Sequence, residues 1–234
     1  ARSSCTSFAL TNSISSLIEV RGVGIGKTSF KRRVNSTFLV ALSYLKSSYE
    51  NIYEIKDVIS KANKSKAIAV LKSKSRIYKK NIQTIDLDKS EEVKFEIIVH
   101  DKLDAIAISE RPRPEAYLIH KDEVSVIKKL QLLGLNLDSV LTENEIVVEQ
   151  YIIEEYAIDA MKYEGVFMQK VKAKTTSVVL KINSEWLVLN MNQRKSNLAI
   201  EVLEPEAPNS FVSYSVIPTE KGATLPIYRV NKKL

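Results

Sequence analysis

Residues 27–80 contain neither glycine nor proline, whereas all six prolines stand at Pro112 or later. A stretch without helix breakers or tight-turn residues is free to build long regular elements, and the spacing of its apolar residues decides which kind. From Phe30 to about Lys46, Phe30, Val34, Phe38, Leu42 and Leu45 recur at steps of three and four, with Lys31, Arg32, Asn35 and Lys46 turned elsewhere. This predicts an amphipathic helix packed on a sheet, started by Thr28 or Ser29 accepting a free backbone N–H. Ile52, Ile55, Val58 and Ile59 form a second stripe, and Ala67, Val70, Leu71 and Arg76 continue a third helical piece after Asn63. Upstream, Ile14–Val20 reads as a short buried strand.

Beyond residue 80 the period changes. Val93–Ile97, Val147–Ile153, Val178–Ile182 and Trp186–Leu189 are alternating or continuous apolar runs rich in β-branched residues, which predicts strands. One helix interrupts them: Lys121–Leu133 places Val124, Ile127, Leu130 and Leu133 three residues apart, and Gly134 follows as its C-cap. Arg111-Pro112-Arg113-Pro114 is a connector, because proline lacks the N–H and restricts its predecessor. Charge divides the chain at the same place. Residues 1–80 carry 16 Lys/Arg against 4 Asp/Glu, and residues 81–234 carry 19 against 24. The expected architecture is therefore an α/β segment over 1–80, followed over 81–234 by a mostly β, sandwich-like domain with one αβ insertion.

With 234 residues, 44% of them hydrophobic, the chain can bury a sizeable core. No apolar run approaches the roughly 20 residues of a membrane span, and Ala1–Cys5 lacks the apolar core of a signal peptide. Beginning without Met, the sequence reads as a processed or truncated product. The single Cys5 excludes an internal disulfide and, with His100 and His120 as the only histidines, leaves little for a soft metal site. Few aromatics alternate with the basic residues of the first half, so they read as solvated helix faces rather than a nucleic-acid surface. Neither nucleic acid nor membrane is expected as a partner.

Ser15–Ser29 holds three of the six glycines and admits two readings. Its tail, Gly22–Thr28, suggests a phosphate-cradling loop. A Walker A loop, however, needs four residues between its first glycine and Gly26-Lys27-Thr28, and Gly22 leaves three. Its head, Leu17-Ile18-Glu19-Val20-Arg21-Gly22, suggests a strand delivering a carboxylate, with Arg21 two residues on and so on the same face. Ser15–Arg21 resembles the late strand of carboxypeptidase A-like zinc metallocarboxypeptidases, where a Glu-x-Arg places the general base. The resemblance extends to bacterial members through the glycine-rich turn and Phe30–Val34, which opens a long helix. It continues into their β-rich appendage through Arg111–Ile119, Trp186–Gln193 and Leu203–Val212, and so covers nearly the whole chain.

The resemblance implies that zinc polarises a C-terminal peptide carbonyl and lowers the pKa of its water, while Glu19 accepts the proton and passes it to the leaving amine. Arg21 would orient or balance Glu19, with a plain ion pair as its structural alternative. The family's His-x-x-Glu and second His have no counterpart ahead of Glu19, and His100 and His120 match no ligand motif. The expectation is thus the C-terminal portion of a periplasmic or secreted metallocarboxypeptidase. It would act on a peptide or protein substrate, bind no zinc itself, and be inactive without the N-terminal half of the peptidase domain. Two other functions compete with it: a non-catalytic β module binding protein or glycan, and a nucleotide-binding protein. Elsewhere, Leu203–Pro208 reads as an exposed turn, Trp186 as core, and Tyr151 and Tyr156 as a half-exposed strand with an acidic rim.

Overall fold

The computed structural model describes residues 4–20 and 26–232. A short helix, α1 (Ser4–Ala9), precedes an irregular stretch over 13–20, and a 3-10 turn at Gly26–Ser29 leads into α2 (Phe30–Glu50) and α3 (Ile52–Lys64). Two long strands follow, β1 (Ala69–Asp86) and β2 (Glu91–Arg111). The remainder is β3 (Ala116–His120), α4 (Val124–Leu132), β4 (Asp138–Ser139), β5 (Asn144–Tyr163), β6 (Val166–Ile182), β7 (Trp186–Asn190), α5 (Ser196–Leu203) and β8 (Thr224–Val230).

The strands make two separate antiparallel sheets. One is the β1–β2 ribbon. The other has six strands in the order β4-β7-β3-β8-β5-β6. One face of the larger sheet, carrying Tyr117, Ile119, Leu189 and Ile227, packs against Val126 and Leu130 of α4 and Ala199, Ile200 and Leu203 of α5. The other face gathers Ala116, Leu118, Val148 and Val230 with Trp186, Val188 and Tyr228. α4 ends as its sequence predicts: Gly134 adopts φ +71°, and the Leu135 N–H reaches back to the Leu130 carbonyl at 3.0 Å.

The first part departs from expectation in three ways. Residues 13–20 hold no strand, and Ile14, Leu17 and Ile18 are exposed. The third helical piece is instead the start of β1. And α2 forms over the predicted residues but buries none of them, so its stripe is not packed on a sheet; α3 likewise buries none. Among the described residues before Ala69 there are helices and no strand. Position 80/81 lies inside β1, so the ribbon straddles the compositional boundary.

The ribbon is two-faced. Cross-strand pairs Tyr78–Val99, Ile82–Phe95 and Thr84–Val93 share one side, while Asn81–Glu96 and Gln83–Lys94 share the other. Midway, Asp101 Oδ1 accepts from the Leu103 and Asp104 N–H groups at 2.9 and 3.0 Å. This pins a bulge on which Leu103 stands fully exposed. Asn12 ties the helices to the β body: its Nδ2 donates to Asn63 Oδ1 at 2.8 Å and its Oδ1 accepts from Asn197 Nδ2 at 3.0 Å.

Candidate functional site

Glu19 is solvent-exposed on the irregular stretch, and Arg21, Gly22 and Gly24 lie outside the described residues. The stretch is held at Ser15, whose hydroxyl donates to the Cys5 carbonyl at 2.7 Å, and at Ser16, whose hydroxyl meets that of Tyr44 on α2 at 2.6 Å. Glu19 therefore stands on an exposed irregular stretch rather than at the edge of a buried strand. His100 pairs with Ile77 on the ribbon, and His120 ends β3 with Nδ1 3.2 Å from Asp122. No group of three or more His, Cys, Asp or Glu among the described residues could hold a metal ion.

The strongest concentration of buried charge lies where sequence reading placed an exposed turn. Glu204 and Glu206 are 1% and 8% exposed, not solvated. Arg111, the last residue of β2, donates from Nη1 to Glu204 at 2.5 Å and from both Nη atoms to Glu206 at 2.9 Å. Glu204 also accepts from the Tyr117 hydroxyl at 2.6 Å and lies 3.3 Å from Arg229 Nε. Arg229 donates from Nη1 to Glu149 at 2.8 Å and from Nη2 to the Pro112 carbonyl. The prolines at 205 and 208 shape a loop that turns its acids inward, because two guanidiniums await them there.

Each charge in this cluster answers another. Burial works against the Arg111 cation, but hydrogen bonds and charge from Glu206 and Glu204 outweigh it and hold its pKa above the ordinary value. Tyr117 and Tyr151, the latter fully buried rather than half-exposed, are pushed well above the ordinary phenol value by burial and by the Glu204 charge, and so stay protonated. The Arg111 guanidinium sits 5.4 Å over the Tyr151 ring. The cluster fastens the ribbon and the proline connector to the α5 loop, although the Tyr151 hydroxyl and Arg229 Nε are buried without a hydrogen-bond partner. It offers no reactive group to solvent.

On the opposite face of the six-stranded sheet, Trp186 is half-buried between His120 and Tyr228, with edge-on ring contacts at 5.0 and 5.5 Å. The Tyr228 hydroxyl accepts from Gln150 Nε2 at 3.3 Å. Trp186 thus packs on the core through its neighbours while keeping part of its surface open.

These features belong to a chain related in sequence to carboxypeptidases. It is 28% identical to carboxypeptidase 2 of Trichophyton tonsurans and to that of Trichophyton rubrum, over 92% of this chain and 40% of each relative. A probable carboxypeptidase 2 of Arthroderma benhamiae is 27% identical over 80% of this chain and 36% of its own length. The chain spans about two fifths of the length of the curated relatives it matches. These relatives are fungal, and they lend no support to the bacterial-type resemblance read from the sequence. No family model and no solved structure matches the chain.

Proposed function

We propose that this chain is the C-terminal portion of a metallocarboxypeptidase that hydrolyses C-terminal peptide bonds of peptide or protein substrates. The observation that carries the reading is the match of 92% of the chain to proteins named carboxypeptidase 2. The exposed stripe of α2, adjoining the Glu19 segment through Ser16 and Tyr44, supports it. A helix with Phe30, Phe38 and Leu45 each at least 60% exposed suits a surface covered by further protein, here the N-terminal half of the peptidase domain.

In this reading Glu19 is the general base, taking a proton from the attacking water and returning it to the leaving amine, with Arg21 holding its charge in place. The described residues do not fit a zinc site, so the reading assigns the zinc ligands to the peptidase half outside this chain. The chain alone is then inactive, and the enzyme is periplasmic or secreted. The test is Glu19→Gln in the intact enzyme. A general base contributes roughly 10²–10⁴ in rate, so kcat should fall at least about 100-fold with zinc content unchanged. Unaltered kcat would overturn the assignment.

One observation favours a second reading, a non-catalytic module for protein or glycan. The half-open Trp186 beside Tyr228 and Gln150 combines a ring surface with an amide donor. Saturable binding of a neutral oligosaccharide, lost in Trp186→Ala, would move the balance to it.

A further inference from the structure

The C-terminal end of α3, the proline connector and the turn after β7 enclose a concavity of about 440 Å³, within the usual range for small-ligand sites. Asn63, Lys64, Lys66, Arg113, Asn190 and Asn192 supply its polar wall, over a floor that includes Ala116 and Val188. It continues into a second hollow that shares Asn63, Lys64 and Asn192 and adds Lys56 and Arg194. Five cations line the joined groove, and the lone acid, Glu115, is already paired with Lys66.

Arg113 differs from its neighbour Arg111. It is half-buried, yet its donors meet only neutral acceptors: Asn197 Oδ1 at 2.7 Å, the Ala67 carbonyl at 3.4 Å and Ser196 Oγ at 3.5 Å. Among the described residues no carboxylate pairs with it. Burial accordingly holds its pKa below the ordinary guanidinium value, where Arg111 is held above it. A guanidinium is always charged, and one drawn from water without a counter-ion has unspent capacity for a bidentate carboxylate. The amides can both donate to and accept from a peptide backbone. No aromatic residue lines the groove, which removes the stacking platform a nucleic acid strand would use.

We propose that this groove is a binding site for a short acidic peptide segment, with Arg113 taking a side-chain carboxylate and Lys64 adding charge at the junction of the two hollows. The choice of a peptide over a free oxyanion rests on the peptidase reading. The groove would hold an acidic stretch of substrate.

The experiment titrates acetylated, amidated tetraglutamate into the 234-residue chain at low salt, observing side-chain amide and arginine Nε signals. Binding should shift Asn63, Asn192 and Arg113, weaken at least tenfold in Arg113→Gln, and weaken with added salt. Since Arg113 also holds Asn197, Lys64→Glu at an exposed position provides a second variant, expected to weaken binding at least threefold without changing the fold. Equal affinity for tetraglutamine overturns the site. So does sodium sulfate binding as tightly as the peptide, which would make it a free-oxyanion site, or an oligoribonucleotide binding more tightly. None of these readouts involves hydrolysis, so their failure leaves the Glu19 assignment standing, and loss of that assignment leaves the groove measurable.

Discussion

The β1–β2 ribbon and the six-stranded sheet are both antiparallel and both draw on isoleucine, valine and aromatic residues, yet only one of them closes a core. In the body, each inward residue meets a second layer: Ile119 and Tyr117 on β3 are fully buried under α4 and α5. In the ribbon, Phe95 is 59% exposed, and in α2 Leu45 is 70% exposed. Beyond the base of the ribbon, where Ala69 and Leu71 join the core of the body, a two-stranded ribbon or a lone amphipathic helix has nothing to bury its apolar face against, however regular its pattern. Apolar periodicity specifies a face, and stability comes only with the partner of that face.

The sharpest way to break this contrast is inside the body. Arg111→Gln removes the guanidinium shared by Glu204 and Glu206, leaving buried negative charge uncompensated. We expect a loss of about 3–5 kcal/mol by urea unfolding. A loss under about 1 kcal/mol would mean that the apolar layers close the body unaided. A gentler comparison pairs Ile119→Ala, expected to cost about 2–5 kcal/mol, with Leu45→Ala on α2, expected to stay within about 0.5 kcal/mol in this chain. Equal costs would show that the helical part is as closed as the body.

The smallest effect tests burial without ion pairing. Glu201 on α5 has its pKa raised by burial, against two hydrogen bonds from Asn209. The folded state therefore holds this proton more tightly than the unfolded chain does. Its contribution to stability is present at low pH and is lost as pH rises through the folded value. Glu201→Gln keeps the acceptor for Asn209 and should melt up to about 3 °C higher than the parent at pH 7, with the gain vanishing near pH 4. A gain that grows on acidification would reverse the sign and refute the burial argument.

Much of the body was legible in the sequence. The runs at Val147–Ile153, Val178–Ile182 and Trp186–Leu189, the α4 period with Gly134 behind it, and the proline connector are all found in place. The start of β1 reads as helix because Ala67, Val70 and Leu71 carry helical spacing. The alternation of Lys72, Lys74 and Arg76 with Ser73 and Ser75 was the available strand signal, and period two without apolar residues is easily passed over. The Glu204 cluster was illegible for another reason. A proline-flanked acid looks solvated until its partner is known, and Arg111 stands 93 residues away. In the sequence Arg113 is only part of a connector, since its lack of a counter-ion is a property of its surroundings.

The sequence by itself determined where helices and strands of the body begin, which residues form apolar stripes, and that a carboxylate and an arginine stand two apart at positions 19 and 21. These are local consequences of backbone sterics and side-chain spacing. Only the tertiary structure decided which stripes are covered, which acids are buried, and that two arginines of one connector meet opposite fates. Burial and ion pairing depend on groups brought together from distant parts of the chain, and no local pattern records that meeting.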